Sequence, residues 1–142
     1  MLVTCQYCRR PAELTTGDLE FPDIPNLTGK KLWVCRDCDA RVGCRGNTDV
    51  PLGELGDGKL RTARQKGHEA FDPLWREMSR RSGMPEGEAR NVAYFWLAEQ
   101  LGITREECHF GGMSYERILK ATVLCRELQA QLDTEQRTRD LL

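Results

Sequence analysis

The spacing of apolar positions changes along this chain, and the change divides it. In residues 1–50 apolar side chains come in short runs between turn formers. Glu13–Thr16 and Leu19–Phe21 flank Gly17-Asp18, which predicts a hairpin. Lys31–Cys35 (KLWVC) predicts a further short strand, and Pro22, Pro25, Asn26 and Gly29 predict a loop before it. Pro51-Leu52-Gly53 then marks the change of character.

From about Asp57 the period becomes helical. Leu60, Ala63, Gly67, Phe71, Leu74, Trp75 and Met78 recur at steps of three and four, one face of a helix. Asp72-Pro73 interrupts this pattern, so we expect either a helix ending near Phe71 with another opening at Pro73, or one kinked helix. Pro85 opens the next helix, with Ala89, Val92, Ala93, Trp96, Leu97 and Leu101 on its apolar face and Gly102 at its left-handed end. Thr104-Arg105-Glu106-Glu107 is a capping-box sequence that predicts a short helical turn. After Gly111-Gly112, Ser114 caps a last helix with a stripe of Ile118, Cys125, Leu128 and Leu132. Beyond Leu132 the residues are nearly all polar, and fraying is expected. Phe71, Trp75, Trp96 and Leu101 are the expected helical core, with Trp33 beside the N-terminal strands.

These elements predict an α+β fold: a small four-cysteine zinc ribbon packed against a unit of three to four helices. The ribbon is expected over 1–50 and the helical region over 51–142, as one compact body. A length of 142 residues with 39% hydrophobic and 30% charged residues suits a globular protein. No apolar stretch is long enough to span a bilayer, and the first residues lack the apolar core of a signal peptide. A cytoplasmic location and no membrane partner are therefore expected.

Seven cysteines change the picture most. An odd count in paired C-x-x-C spacing argues against a secreted disulfide framework and for thiolate ligands. Cys5-Gln6-Tyr7-Cys8 and Cys35-Arg36-Asp37-Cys38 each place two sulfurs on a tight turn, and two such turns complete a tetrahedron around zinc at about 2.3 Å. A module of roughly fifty residues buries little surface, so metal binding supplies folding energy on the order of 10 kcal/mol or more. Iron is the rival metal. Rubredoxin-like knuckles, however, carry glycine after the second cysteine, where Arg9 and Asp39 stand here. Cys44 reads as a small buried hydrophobe rather than a ligand, and Cys108 and Cys125 as helical core.

CQYC, LWVCRDCDARVGC, PLGELGDGKLRTARQKGHEAFDPLW and AYFWLAEQLGI together resemble a family of zinc-finger-containing proteins of bacteria and their phages. The resemblance runs over roughly residues 3–125. It implies a zinc-binding N-terminal part followed by helices, and it implies no particular activity. The family's pattern has glycine where Arg9 stands and histidine where Arg45 stands, and the polar tail after about Leu128 lies outside it.

A net charge of -1 creates no global attraction for nucleic acid. The densest basic stretch, Lys59 to Arg81, offers Arg61, Arg64, Arg80 and Arg81 as candidate phosphate contacts, although a solvated helix face explains the same residues. His68, Asp72 and His109 are the only basis for a metal-dependent hydrolase, with no nucleophile motif or carboxylate cluster beside them. Leu97 to Thr104 resembles the opening of a helix-turn-helix, but Cys108 to Gly112 stops any recognition helix. The leading expectation is a non-enzymatic zinc-dependent module contacting nucleic acid or a nucleic-acid-processing complex. Its alternatives are a phage or bacterial regulator that binds a partner enzyme, and the hydrolase.

Overall fold

A computed structural model describes every residue from Met1 to Leu142. The chain forms two compact units, Met1–Arg61 and Thr62–Leu142. Seven elements follow in order: β1 (Glu13–Thr16), α1 (Gly17–Glu20), β2 (Lys31–Cys35), β3 (Ala40–Gly43), α2 (Gly58–Ser82), α3 (Glu86–Leu101) and α4 (Tyr115–Leu141). The α+β class expected from the sequence is the class observed.

In the first unit the strands form one antiparallel sheet in the order β1-β2-β3. Leu14 lies opposite Trp33, and Trp33 opposite Val42. The hairpin expected at Gly17-Asp18 does not form. Gly17–Glu20 is instead a single helical turn, and β1 pairs with β2 across a longer connection. Packing selects this route. The Gly17 N–H donates to the Lys30 carbonyl at 2.8 Å, and a Cβ on Gly17 would stand 2.0 Å from the Leu27 carbonyl oxygen. Asp18 Oδ1 accepts from the Gly29 N–H at 3.0 Å and closes the connection. The core beneath the sheet is small: Cys5, Trp33, Cys35, Ala40, Val42 and Leu55, with Cys44 packed at its edge. The Trp33 indole donates to the Asp49 carbonyl at 2.7 Å, which satisfies its one polar atom.

The helix α2 is continuous through Pro73. Proline inside a helix costs about 3 kcal/mol, because it removes one backbone bond and crowds the preceding turn. Buried Phe71, Leu74 and Trp75 on either side hold the helix together. The Asp72 carboxylate accepts from the Trp75 indole at 2.9 Å and does not cap a new helix. The expected caps are present: Gly102 ends α3 with φ 69°, and Ser114 accepts from the Arg117 N–H at the start of α4. Thr104 and Glu107 form the reciprocal capping box, at 3.1 and 3.2 Å. The turn it opens goes no further than one turn.

Two expectations for the second unit need correction. The buried face of α3 is Ala89, Ala93, Tyr94, Leu97 and Ala98, so Val92 and Trp96 sit at its margin and Leu101 is only half-buried. The centre of the core is Phe110. This residue comes from a segment that reads as a mere interruption, yet it is buried and meets Phe71 edge-on at 5.8 Å and Tyr94 at 6.4 Å. The frayed tail is the second correction, since α4 stays helical to Leu141. Its polar residues are good helix formers joined at i,i+4, Gln129 to Asp133 and Gln136 to Asp140 among them.

Gly67 is required by this core, because a Cβ there would lie 2.6 Å from the Phe110 ring. Gly67→Ala should destabilise the protein by about 1–3 kcal/mol in urea unfolding despite its better helix propensity. An unchanged midpoint would show that Phe110 does not pack as described.

Candidate metal centre

Both C-x-x-C turns are built in the same way. Cys5 to Cys8 sit in a small hairpin closed by the Thr4–Pro11 bridge, and the Arg9 N–H donates to the Cys5 carbonyl at 2.9 Å. Cys35 ends β2 and Cys38 lies in the turn before β3, so the second knuckle is the β2–β3 turn itself. In each, the residue after the second cysteine is left-handed: Arg9 at φ 66° and Asp39 at φ 49°. These are the two non-glycine residues of the chain with positive φ. That conformation costs an L-residue about 1–2 kcal/mol, so the knuckle geometry is imposed by what surrounds it.

The four sulfurs converge, all within 4.8 Å of one another. Cys8 and Cys35 Sγ are 3.7 Å apart, close to the edge of about 3.8 Å that a tetrahedron with zinc–sulfur bonds of about 2.3 Å requires. Cys5 and Cys35 are buried and Cys8 and Cys38 half-buried. The Arg10 backbone N–H draws the Cys8 thiol down to about 6, against an opposing effect of burial and with help from the Arg10 side chain. Burial first, then the Cys8 and Cys35 sulfurs, push Cys38 up to about 12. Sulfurs this close cannot all carry charge on their own. Cys5, Cys8, Cys35 and Cys38 would together hold a divalent cation, whose charge would balance their thiolates once the remaining protons had passed to solvent. An all-sulfur tetrahedron with no open position suits a structural zinc ion, whose role is to hold the fold.

The family model for a zinc-finger-containing domain matches residues 1–128. The chain belongs to this zinc-finger-containing family. No curated protein and no solved structure matches the chain significantly. Family and cluster together make it a zinc-dependent binding module.

The residues between and beside the ligands reach outward to fix the rest of the first unit. In the first knuckle, Gln6 Nε2 donates to the Leu55 carbonyl, and the Tyr7 hydroxyl accepts from the Asp57 N–H at 3.0 Å. In the second, Arg36 binds Glu13 of β1 at 3.2 Å and Glu20 of α1 at 2.7 Å. Arg10 joins Asp37 at 3.0 Å, one knuckle to the other. Asp39 holds Arg61: Nη1 donates to the Asp39 carbonyl at 2.7 Å and Nη2 to its carboxylate at 3.2 Å, while Nη1 also donates to the Gly56 carbonyl at 2.7 Å. Asp57 in turn accepts from the Leu60 N–H at 3.0 Å, so the opening turn of α2 is tied to both zinc knuckles. Spacing identifies the ligands but carries no signal for these outward bonds.

The other sequence candidates are dispersed. Arg61 is the staple just described, and Arg64 donates to the Gly111 carbonyl at 3.0 Å. Arg80 and Arg81 are exposed, and both bond Glu77. The His68 ring packs on Phe110 at 4.7 Å, and a Cβ on Gly112 would meet the His109 ring at 2.4 Å. Asp72 is engaged by Trp75 and Arg76. The only group of three or more possible metal ligands brought together is the four cysteines, and His68, Asp72 and His109 are not gathered into a second one. Cys44 stands apart from the cluster, while Cys108 and Cys125 are buried as expected.

Purified protein should hold one zinc per chain by elemental analysis. Cys35→Ser should abolish it and Cys44→Ser should leave it in place. Arg9→Gly should keep the metal and raise stability by about 1 kcal/mol, because glycine adopts the left-handed region at no steric cost. A red, iron-loaded protein from the native host would contradict the zinc assignment.

Proposed function

We propose that this chain is a non-catalytic adaptor whose first unit is held in shape by zinc and whose helical unit binds a partner protein. The observation carrying this reading is an open groove of about 1110 Å³ within Thr62–Leu142. Its floor is apolar, with Pro73, Met78, Val92, Trp96, Leu128 and Leu132 among the lining residues. Val92 and Leu132 are each 41% exposed and lie together in this lining, and a contiguous apolar patch is what marks an interaction surface. No helix is long and apolar enough to cross a membrane.

Nucleic-acid contact is the second reading, supported by the exposed guanidiniums of Arg76, Arg80 and Arg81 on α2. Charge balance weighs against it. Residues 62–142 carry twelve Lys and Arg against thirteen Asp and Glu. The Arg80 and Arg81 side chains hold the Glu77 carboxyl down to about 2, so it stays charged and partly cancels both at any neutral pH.

Salt dependence separates the two. A complex made through the groove should persist from low to high salt, whereas each phosphate contact adds about one unit to the salt slope. If phosphate contact is the function, Glu77→Gln should strengthen DNA or RNA binding, and Arg80→Glu with Arg81→Glu should abolish it. Under the adaptor reading wild-type protein binds neither nucleic acid at low salt. Tight, steeply salt-dependent binding would overturn that reading.

A further inference from the structure

The groove also indicates what kind of segment would fill it, an inference that rests on the adaptor reading above. Its walls are α2 from Glu69 to Arg81, α3 through Val92, Ala93 and Trp96, and α4 from Arg126 to Arg139. Helices α2 and α4 both lead away from Phe110, which lies against Gly67 and just before α4, towards the bond between Arg81 and Gln136 at 3.2 Å. Their facing sides leave the groove open between them along that length.

We propose that this groove receives one face of an amphipathic helix from a partner protein, lying in the position of a missing fourth helix. Three observations favour this occupant. The first is backbone chemistry. Helical walls have their own N–H and carbonyl groups paired, so an extended peptide would find no row of partners, whereas a helix brings its backbone already satisfied. The second is size. The wall from Glu69 to Arg81 spans about 18 Å at about 1.5 Å per residue, three turns of a guest helix. The volume of about 1110 Å³ lies at the upper edge of the roughly 300–1,000 Å³ of small-ligand pockets. It is nevertheless smaller than a whole helix of that length and about 10–12 Å across, so side chains from one face enter and the remainder stays outside.

The third is charge. On the α2 side Glu77 is already paired with Arg80 and Arg81, which leaves Glu69, bonded only to Gln65, as the available anion. On the α4 side Arg126 and Arg139 outnumber Asp133, and Asp133 and Arg139 are bonded only to the neutral Gln129 and Gln136. The guest helix therefore carries large apolar residues at three- and four-residue spacing, cationic residues on the flank facing α2 and anionic residues on the flank facing α4. Part of the site lies outside the family's shared region. Gln129, Leu132, Asp133, Gln136 and Arg139 lie beyond residue 128, where the family match ends, so the helical extension of α4 builds one wall.

The test uses the full zinc-loaded chain and a synthetic helical peptide of about three turns. The peptide has leucines at the stated spacing, lysines on one flank and glutamates on the other. NMR should show saturable shifts at the Met78 methyl and the Trp96 indole, with Trp33 unmoved. A peptide with its lysines and glutamates exchanged should bind about tenfold more weakly. Leu132→Glu, at an exposed position, should abolish the shifts while thermal unfolding stays normal; Val92→Glu serves as a second variant should the first fail to fold. No shift in excess peptide, shifts outside the groove, or equal affinity for the exchanged peptide would overturn the proposal. So would sedimentation showing that a second copy of the chain fills the groove. A partner captured from the native host whose binding is lost in Leu132→Glu, but which offers no helix, would overturn the occupant while leaving the adaptor reading intact.

Discussion

Four sulfurs held within bonding distance of one metal ion are the constraint on which the first unit depends. Its sheet has three strands of four or five residues, and its core has six members, two of which, Cys5 and Cys35, are themselves ligands. A unit of about sixty residues with so little apolar surface is marginal on hydrophobic burial alone. Structural zinc contributes apparent folding energy of roughly 10–16 kcal/mol in small zinc modules, more than the whole stability of many domains. That surplus allows Arg9 and Asp39 to occupy backbone conformations better suited to glycine. Without the metal, the geometry bringing both knuckles together would have to overcome that strain and the mutual repulsion of the sulfurs.

The metal's influence extends beyond its ligands through the side chains in the same turns. Gln6 and Tyr7 hold Leu55 and Asp57, Asp39 holds Arg61, and Arg36 holds β1 and α1. Individually such bonds are modest, about 1 kcal/mol each for neutral pairs and less for exposed ion pairs. Their common origin on two zinc turns makes them cooperative, since all are positioned by one event. Arg61 shows the consequence for function. A guanidinium with three bonds to Asp39 and Gly56 is committed to structure, and the basic appearance of Lys59 to Arg81 in sequence overstates the charge offered to a partner.

What the sequence discloses follows from which interactions are local. C-x-x-C spacing fixes ligand geometry over four residues, so Cys5, Cys8, Cys35 and Cys38 are legible together with the helix ends at Pro85, Gly102 and Ser114. Non-local packing is not. Nothing near Gly17-Asp18 announces that Leu27 will close over Gly17 and cancel the hairpin, and the importance of Phe110 exists only once Gly67 leaves room for its ring. The face of α3 is ambiguous in sequence because Val92 and Trp96 fit the apolar period as well as Tyr94 does. Their displacement to the margin creates the groove. The helical extension past Leu132 is hidden by its polar composition, although the same residues have the helix propensity and i,i+4 bonding that sustain it.

Zinc, acting through the knuckle side chains, should hold the whole of Met1–Arg61 in shape, including the start of α2. Amide hydrogen exchange of the full chain with and without a chelator reads this residue by residue. On metal removal, protection should collapse at Trp33, Val42, Gly56, Asp57 and Leu60, while Phe71, Leu97 and Ile118 in the second unit keep theirs. Retained protection at Gly56 to Leu60 in the metal-free protein would contradict the account.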